Sequence, residues 1–280
     1  MIRDNRLSAR LWRTIVWLVV AFFVLNVVAL IAAVILNSFA TRWLGSWAPA
    51  GLTTRWYVSA WSEFQLGDVL IVTFEVVFAV VAISGLLGVA AAYALARRDF
   101  PGKRLVMLLF LAPLVIPPLT YGVPMASLLY RLGLGGTFTG VVLANLVPTI
   151  PFVVLVMTPF IEQIDPRLEA AARVFGASTA SLFVRVLGPL LLPGLLAALL
   201  LALVRTIAMF ELTFLTAGPD SQTLVVALYY AVFASGVRAG QSIDAMAVIY
   251  MATTLVWLIV ALRFVDPTQI VARARPRAAH

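Results

Sequence analysis

Of the 280 residues, 63% are hydrophobic and 11% charged, and the mean hydropathy is +1.05. A soluble domain carries about 25% charged residues, so this chain lacks the polar surface to coat a globule and reads as an all-α polytopic membrane protein. Its formal charge of +8 does not point to nucleic acid, because the basic residues collect in short segments beside apolar runs, as the positive-inside rule expects. Cysteine is absent and the one histidine is His280. That excludes disulfides, thiolate metal sites and histidine-based catalysis or proton relays, and no metal site is expected.

Arg3, Arg6, Arg10 and Arg13 precede the first apolar run, Ile15 to Leu36. Ser38-Phe39-Ala40 resembles a signal-peptide cleavage site, but a secretory apolar region is only about 7–15 residues long. The run is longer, so an uncleaved first span is expected behind a cytoplasmic segment, 1–14. The stretch from Asn37 to Leu66 carries Trp43, Trp47, Trp56, Tyr57 and Trp61. Such rings favour the membrane–water interface, which predicts a loop on the outer surface. A second span, Val69 to Ala96, ends in Arg97, Arg98, Lys103 and Arg104 around Pro101-Gly102.

The third span, Leu105 to Tyr130, contains Pro113, Pro117, Pro118 and Pro124. Proline kinks a helix by removing a donor, and carbonyls freed within lipid need partners inside the protein. A kinked helix packed centrally is therefore expected. Gly133 to Gly136 turn the chain into a fourth span, Thr139 to Phe160. A polar stretch from Ile164 to Pro189 leads to the fifth, Leu190 to Ala217, closed by Gly218-Pro219-Asp220. Leu224 to Ala234 is apolar but too short to cross, which suggests an interfacial or re-entrant helix. Ala245 to Leu262 is the sixth span, and an arginine-rich cytoplasmic tail, 266–280, follows. There is no strong internal repeat and no separate soluble domain, so 15–265 reads as one six-span transmembrane domain. Arg42, Arg55, Arg131 and Arg238 are the few basic residues on the opposite loops, which predicts both termini in the cytoplasm.

The polar stretch is built like a helix–turn–helix. Asp165 suits an N-cap and Pro166 the first helical position. Glu169 and Arg173 are spaced to pair on one face. Gly176 suits a left-handed stop, and Ser178 can cap a second short helix with Leu182, Phe183 and Val186 as its apolar stripe. Read from these residues alone, it could be an ordinary amphipathic connector resting at the interface.

These residues resemble the EAA loop of ABC-importer permeases, the inner-membrane components of binding-protein-dependent transport systems, of the maltose or spermidine/putrescine type. That pattern is Glu-Ala-Ala, three residues, Gly, nine residues, Ile, any, Leu-Pro. Anchored on Gly176, the chain offers Ala171-Ala172, Val186 and Pro189. It departs at Ala170, which holds the glutamate position while Glu169 stands one place earlier, and at Gly188, which holds the leucine position. Pro151-Phe152, Pro193-Gly194, Gly218-Pro219 and Gln222-Thr223-Leu224 extend the likeness across Val69 to Leu262.

The resemblance implies a six-helix type I importer fold in the bacterial inner membrane, with a cytoplasmic coupling loop at 161–189. Glu169, Ala170, Ala171, Arg173, Gly176, Ala177 and Ser178 would dock an ATPase. It also implies a second permease, identical or homologous, two ATP-binding subunits, and an extracytoplasmic solute-binding protein. ATP and Mg would be held by the ATPase. This chain has no GxxxxGK[ST] phosphate loop and is expected to bind no cofactor and to catalyse nothing itself.

Glu75, Asn145, Arg205 and Glu211 fall within expected spans. A charge at a helix centre costs about 2.5–3.5 kcal/mol on insertion scales, so such residues face a bundle interior or a cavity. They are candidates for a translocation pathway, with Tyr121 and Phe210 beside them, or for pairing between helices. On one continuous helix Arg205 and Glu211 would lie about 9 Å apart along the axis and on different faces, which argues against direct pairing. The family imports sugars, polyamines and other solutes. Arg205 disfavours a cation and favours a polyhydroxy or anionic solute. An ion-gradient carrier is the competing function, but such folds often show repeats and none is found. An intramembrane enzyme lacks a nucleophile or metal site.

Overall fold

The computed structural model describes residues 4–43, 46–233 and 239–264. The expected tail at 266–280, with His280, and Arg3 and Arg238 lie outside the described residues. Those described fold into helices α1 (Asp4–Phe39), α2 (Arg55–Glu63), α3 (Leu66–Arg97), α4 (Lys103–Val115), α5 (Pro118–Arg131) and α6 (Phe138–Glu162). After these come α7 (Pro166–Val174), α8 (Thr179–Ser181), a π-helical segment (Leu182–Leu187), α9 (Gly188–Ile207), α10 (Glu211–Thr216), α11 (Leu224–Phe233) and α12 (Gly240–Phe264). Among the described residues, five helical stretches are long and apolar enough to cross a membrane, and six if the bent pair α4–α5 counts as one span.

The chain divides into two compact units. One comprises Met1–Gln65 and Ala231–Ile249. Here α1 leaves most of its large apolar side chains exposed, Trp17, Phe22, Phe23 and Leu25 among them, a surface suited to lipid. Its end is tied down by polar groups. The Trp56 indole donates to the Ala40 carbonyl at 2.7 Å, Ser38 and Tyr57 share a hydroxyl hydrogen bond at 2.8 Å, and the Asn37 amide donates to Asp244. The segment expected as an aromatic loop thus contains a short helix, α2, whose Tyr57 ring also meets Phe39.

The other unit, Leu66–Tyr230 with Tyr250–His280, is organised around α6. Its buried residues run from Gly140 to Ile161 and include Pro148 and Pro151. Val77 and Val81 of α3 and Ala198, Ala202 and Leu203 of α9 share a core with Val153, Met157 and Ile161. A Cβ on Gly88 of α3 would stand 2.7 Å from Val153 Cγ1, so α3 and α6 pack at a distance only a small residue allows. Thr149 and Thr158 turn their hydroxyls onto Asn145 and Val154 carbonyls one turn back. The central helix therefore exposes little polarity of its own.

Two expectations are corrected. The proline-rich third span is not one central kinked helix. Ile116 and Pro117 are both extended, with ψ of 133° and 134°, because proline pushes its predecessor out of the helical region. Pro118 then opens a new helix, as suits its fixed φ, and α4 and α5 meet at 98°. No residue of α4 is buried, and α5 buries only Gly122, Ala126 and Leu129. The fifth span also breaks, at Ala208 to Phe210, between α9 and α10. No proline or glycine marks that break. Met209 and Leu212, buried with Leu129 and Ala144, hold the chain on its new course.

Hydrogen bonds define the two ends of this unit. At one, Gly136 donates to the Thr216 carbonyl at 2.9 Å and Ser221 Oγ donates to the Gly136 carbonyl at 3.1 Å. At the other, Arg97 Nη2 donates to the Ile164 carbonyl at 2.7 Å. The bent pair α4–α5 therefore carries the chain once from one end to the other, and α6 returns it.

Candidate functional site

The loop after α6 forms as its caps dictate. Asp165 Oδ1 accepts from Arg167 N at 2.9 Å, Pro166 opens α7, and Ser178 Oγ accepts from Ser181 N at 3.2 Å. Gly176 adopts φ +82°, where an L side chain is strained. Its N–H donates to the Arg173 carbonyl and the Ala177 N–H to the Ala172 carbonyl, both at 3.0 Å, which is the Schellman arrangement of a glycine stop. The second short helix is not separate from the next span. Helical structure runs from Thr179 through the π-helical segment to Ile207, and Gly188 donates its N–H to the Phe183 carbonyl inside that run.

Glu169 faces inward and is 4% exposed. Its Oε1 accepts from Arg97 Nε at 2.7 Å, its Oε2 accepts from the Tyr93 hydroxyl at 2.6 Å, and Arg173 Nη2 stands 3.7 Å away. The expected pairing with Arg173 is present but is the weaker one. These bonds offset the cost of taking the carboxylate out of water, because charge-assisted hydrogen bonds are the strong ones. Tyr93 also meets Phe183 edge-on, with ring centroids 4.6 Å apart. A cleft of about 440 Å³ opens beside the cluster, lined by Tyr93, Arg97, Arg98, Asp99, Pro166, Glu169 and Arg173.

The opposite side of the loop is apolar. Val174 is 85% and Phe175 90% exposed, and Leu168 is exposed too. Ala170, Ala171, Gly176 and Ser178 are exposed around them, and Ala177 is half-buried. Tyr93 and Phe175 are not marked by the sequence, and Arg97 is expected only as part of a basic turn, not as a partner of the loop. The spacing of Tyr93 and Arg97, four apart in the last turn of α3, places both on one face and was the available signal.

The second constellation lies at the α9–α10 break. Arg205, on the last turn of α9, stacks its guanidinium over the Phe152 ring at 5.2 Å. Phe152 is two residues past the middle of α6, so the guanidinium stands level with the middle of that helix. Tyr121 of α5 lies within electrostatic reach of both Arg205 and Glu211. Phe210 stacks on Phe214 at 5.1 Å and meets Tyr229 at the same distance. The structure thus gathers Tyr121, Arg205, Phe210 and Glu211. Among the described residues no ion pair joins Arg205 to Glu211, and the axial-distance argument does not apply to a broken helix.

The other two pathway candidates lie elsewhere. Asn145 is buried, with its amide donating to the Val141 carbonyl and Thr213 Oγ1 at 2.9 and 3.1 Å, so it ties α6 to α10. Glu75 is exposed on α3.

A helical unit of membrane-spanning type with a capped polar loop is the class that these features define. Residues 84–270 match the family described as binding-protein-dependent transport system inner membrane component, and the chain belongs to that family. It is 35% identical over 160 residues to the molybdenum transport system permease protein ModB of Haemophilus influenzae, covering 51% of this chain and 69% of that one. It is 29% identical over 196 residues to the trehalose transport system permease protein SugB of Mycobacterium tuberculosis, covering 70% and 71%. A solved structure of a bacterial ABC transporter involved in the import of alginate shares the fold, with a TM-score of 0.71 at 17% identity over 96% of this chain and 98% of that one. The ABC-importer permease reading holds, whereas the family match begins within α3, so α1 and α2 lie outside it.

Proposed function

We infer that the chain forms half of the translocation pathway of an ATP-driven importer. It works beside a second permease, two ATP-binding subunits on the cytoplasmic side and an extracytoplasmic solute-binding protein, with both its termini in the cytoplasm. The observation that carries the reading is the projection of Val174 and Phe175 from a capped, rigid turn into the water phase. An apolar group so exposed marks an interaction site, and the loop's arginines, Arg167, Arg173 and Arg185, suit a partner surface with an acidic rim. Ala170, Ala171, Arg173, Gly176, Ala177 and Ser178 belong to the docking face. Glu169 serves it from behind rather than by touching the ATPase. ATP and Mg are held by the partner.

Tyr121, Arg205, Phe210 and Glu211 line the pathway. A guanidinium level with the middle of α6, among the described residues without a carboxylate partner and beside non-helical backbone, suits a water-filled cavity. It favours a polyhydroxy or anionic solute over a cation. Relatives that move molybdenum and trehalose are in keeping with that range.

Co-purification with the co-expressed ATP-binding subunit tests the docking reading. The wild type is expected to retain it and Phe175→Asp to lose it while staying folded in the membrane. Equal retention by Phe175→Asp would move the docking surface elsewhere. Failure of the wild type to retain any ATPase would revive the gradient-driven carrier.

A further inference from the structure

Glu169 belongs to the loop, but its partners do not. Tyr93 and Arg97 are the last aromatic and last charged residues of α3, 76 and 72 positions away in sequence. Arg97 also reaches the Ile164 carbonyl with Nη2, so one side chain binds the exit of α6 and the body of α7 together. Its side chain is 11% exposed and that of Glu169 5%, which keeps solvent from competing for these bonds. On the Tyr93 ring's other flank Phe183 joins the π-helical segment.

Nothing comparable runs toward α9. Among the described residues no side-chain hydrogen bond or ion pair joins the loop to that helix. The connection passes through the π-helical turn, a wider and rarer geometry than the α-helix, held by the apolar contacts of Leu182 and Leu187. Exposed Val184 and Arg185 lie between these two anchors.

We propose that Tyr93 and Arg97 are positioning residues for transport: through Glu169 they clamp the docking loop to the end of α3, so that loop and helix move as one body. This rests on the docking reading above. A pull on Val174 and Phe175 is then delivered first to α3, and through its close packing to α6. The family's glutamate position is Ala170 here, and Glu169, one place earlier, faces the chain's own core, where it fixes the loop's attitude.

The absence of cysteine allows a clean distance measurement. Spin labels on Asp99→Cys and Arg167→Cys, both exposed positions, would report the gap between the end of α3 and α7 in the assembled transporter. The clamp predicts the same distance distribution without nucleotide and after trapping with ATP and vanadate. Glu169→Gln and Arg97→Met should broaden the distribution and shift its mean on trapping, with the ATPase still bound and hydrolysing. Tyr93→Phe, which keeps the ring contact, should give a smaller broadening, and Arg97→Lys should restore much of the wild-type distribution. A wild-type distance that changes on trapping, or clamp variants indistinguishable from wild type, would overturn the proposal. Loss of the ATPase from the wild-type complex would instead sink the docking reading.

Discussion

Glu169, buried, and Arg205, half-buried, are both charged groups set among helices, and their surroundings treat them in opposite ways. Glu169 has its two oxygens filled by Arg97 and Tyr93 at hydrogen-bond distance. Arg205 has an aromatic face, and among the described residues no carboxylate within ion-pair reach. A saturated charge is committed to the protein's own geometry, since moving it means breaking several strong bonds at once. A charge without such partners is left open to whatever enters beside it. On the proposed function, the two sites separate a part that holds shape from a part that would meet cargo.

The sharpest way to break this comparison is Arg97→Met. It leaves a buried carboxylate without its main partner, and removing one member of a buried pair costs about 3–5 kcal/mol. A thermal melt in detergent should show that loss, and an unchanged midpoint would mean that Glu169 is not committed as described. Arg205→Leu should act with the opposite sign. Replacing an arginine by leucine at the centre of an inserted segment eases insertion by about 3 kcal/mol, readable in a glycosylation-based insertion assay on residues 195–215, which centre on Arg205. Uptake by the assembled transporter should fall at the same time. If both insertion and uptake stay at wild-type values, Arg205 is already satisfied and the contrast fails.

Tyr93→Phe removes one hydrogen bond to an ion, a loss of about 1.5–3 kcal/mol, and should lower the melting midpoint less than Arg97→Met does. The smallest effect is expected from Gly176→Ala. A Cβ there meets nothing within 4 Å, so only the left-handed backbone is strained, at about 1–2 kcal/mol. A larger loss would show that the turn is packed rather than projecting.

Local chemistry made much of this legible in the sequence. Asp165, Pro166, Gly176 and Ser178 each announce their position by what their side chain or backbone can do within a few residues, and each is found there. The short apolar helix expected from Leu224 onward, too short to cross, is likewise found as Leu224–Phe233. What was not legible depends on distant partners. Glu169 could have faced either way on α7, and only the arrival of α3 decides it. The break after Ile207 has no helix-breaking residue to betray it, because it is imposed by what Met209 and Leu212 pack against. At Pro117-Pro118 the residues announce a disturbance, but two successive prolines end a helix where one would bend it.

The 98° bend between α4 and α5 has a consequence for parity. The chain leaves the clamp at Arg97 and must be back beside it at Ile164, so the passages between must be even in number. A chain inserted with α4 and α5 folded back as a hairpin in one leaflet would leave Arg97 and Ile164 on opposite faces, with Glu169 unable to reach its partners. The hydrogen bonds at the loop can therefore close only on a correctly threaded chain, and they act as a checksum on its topology.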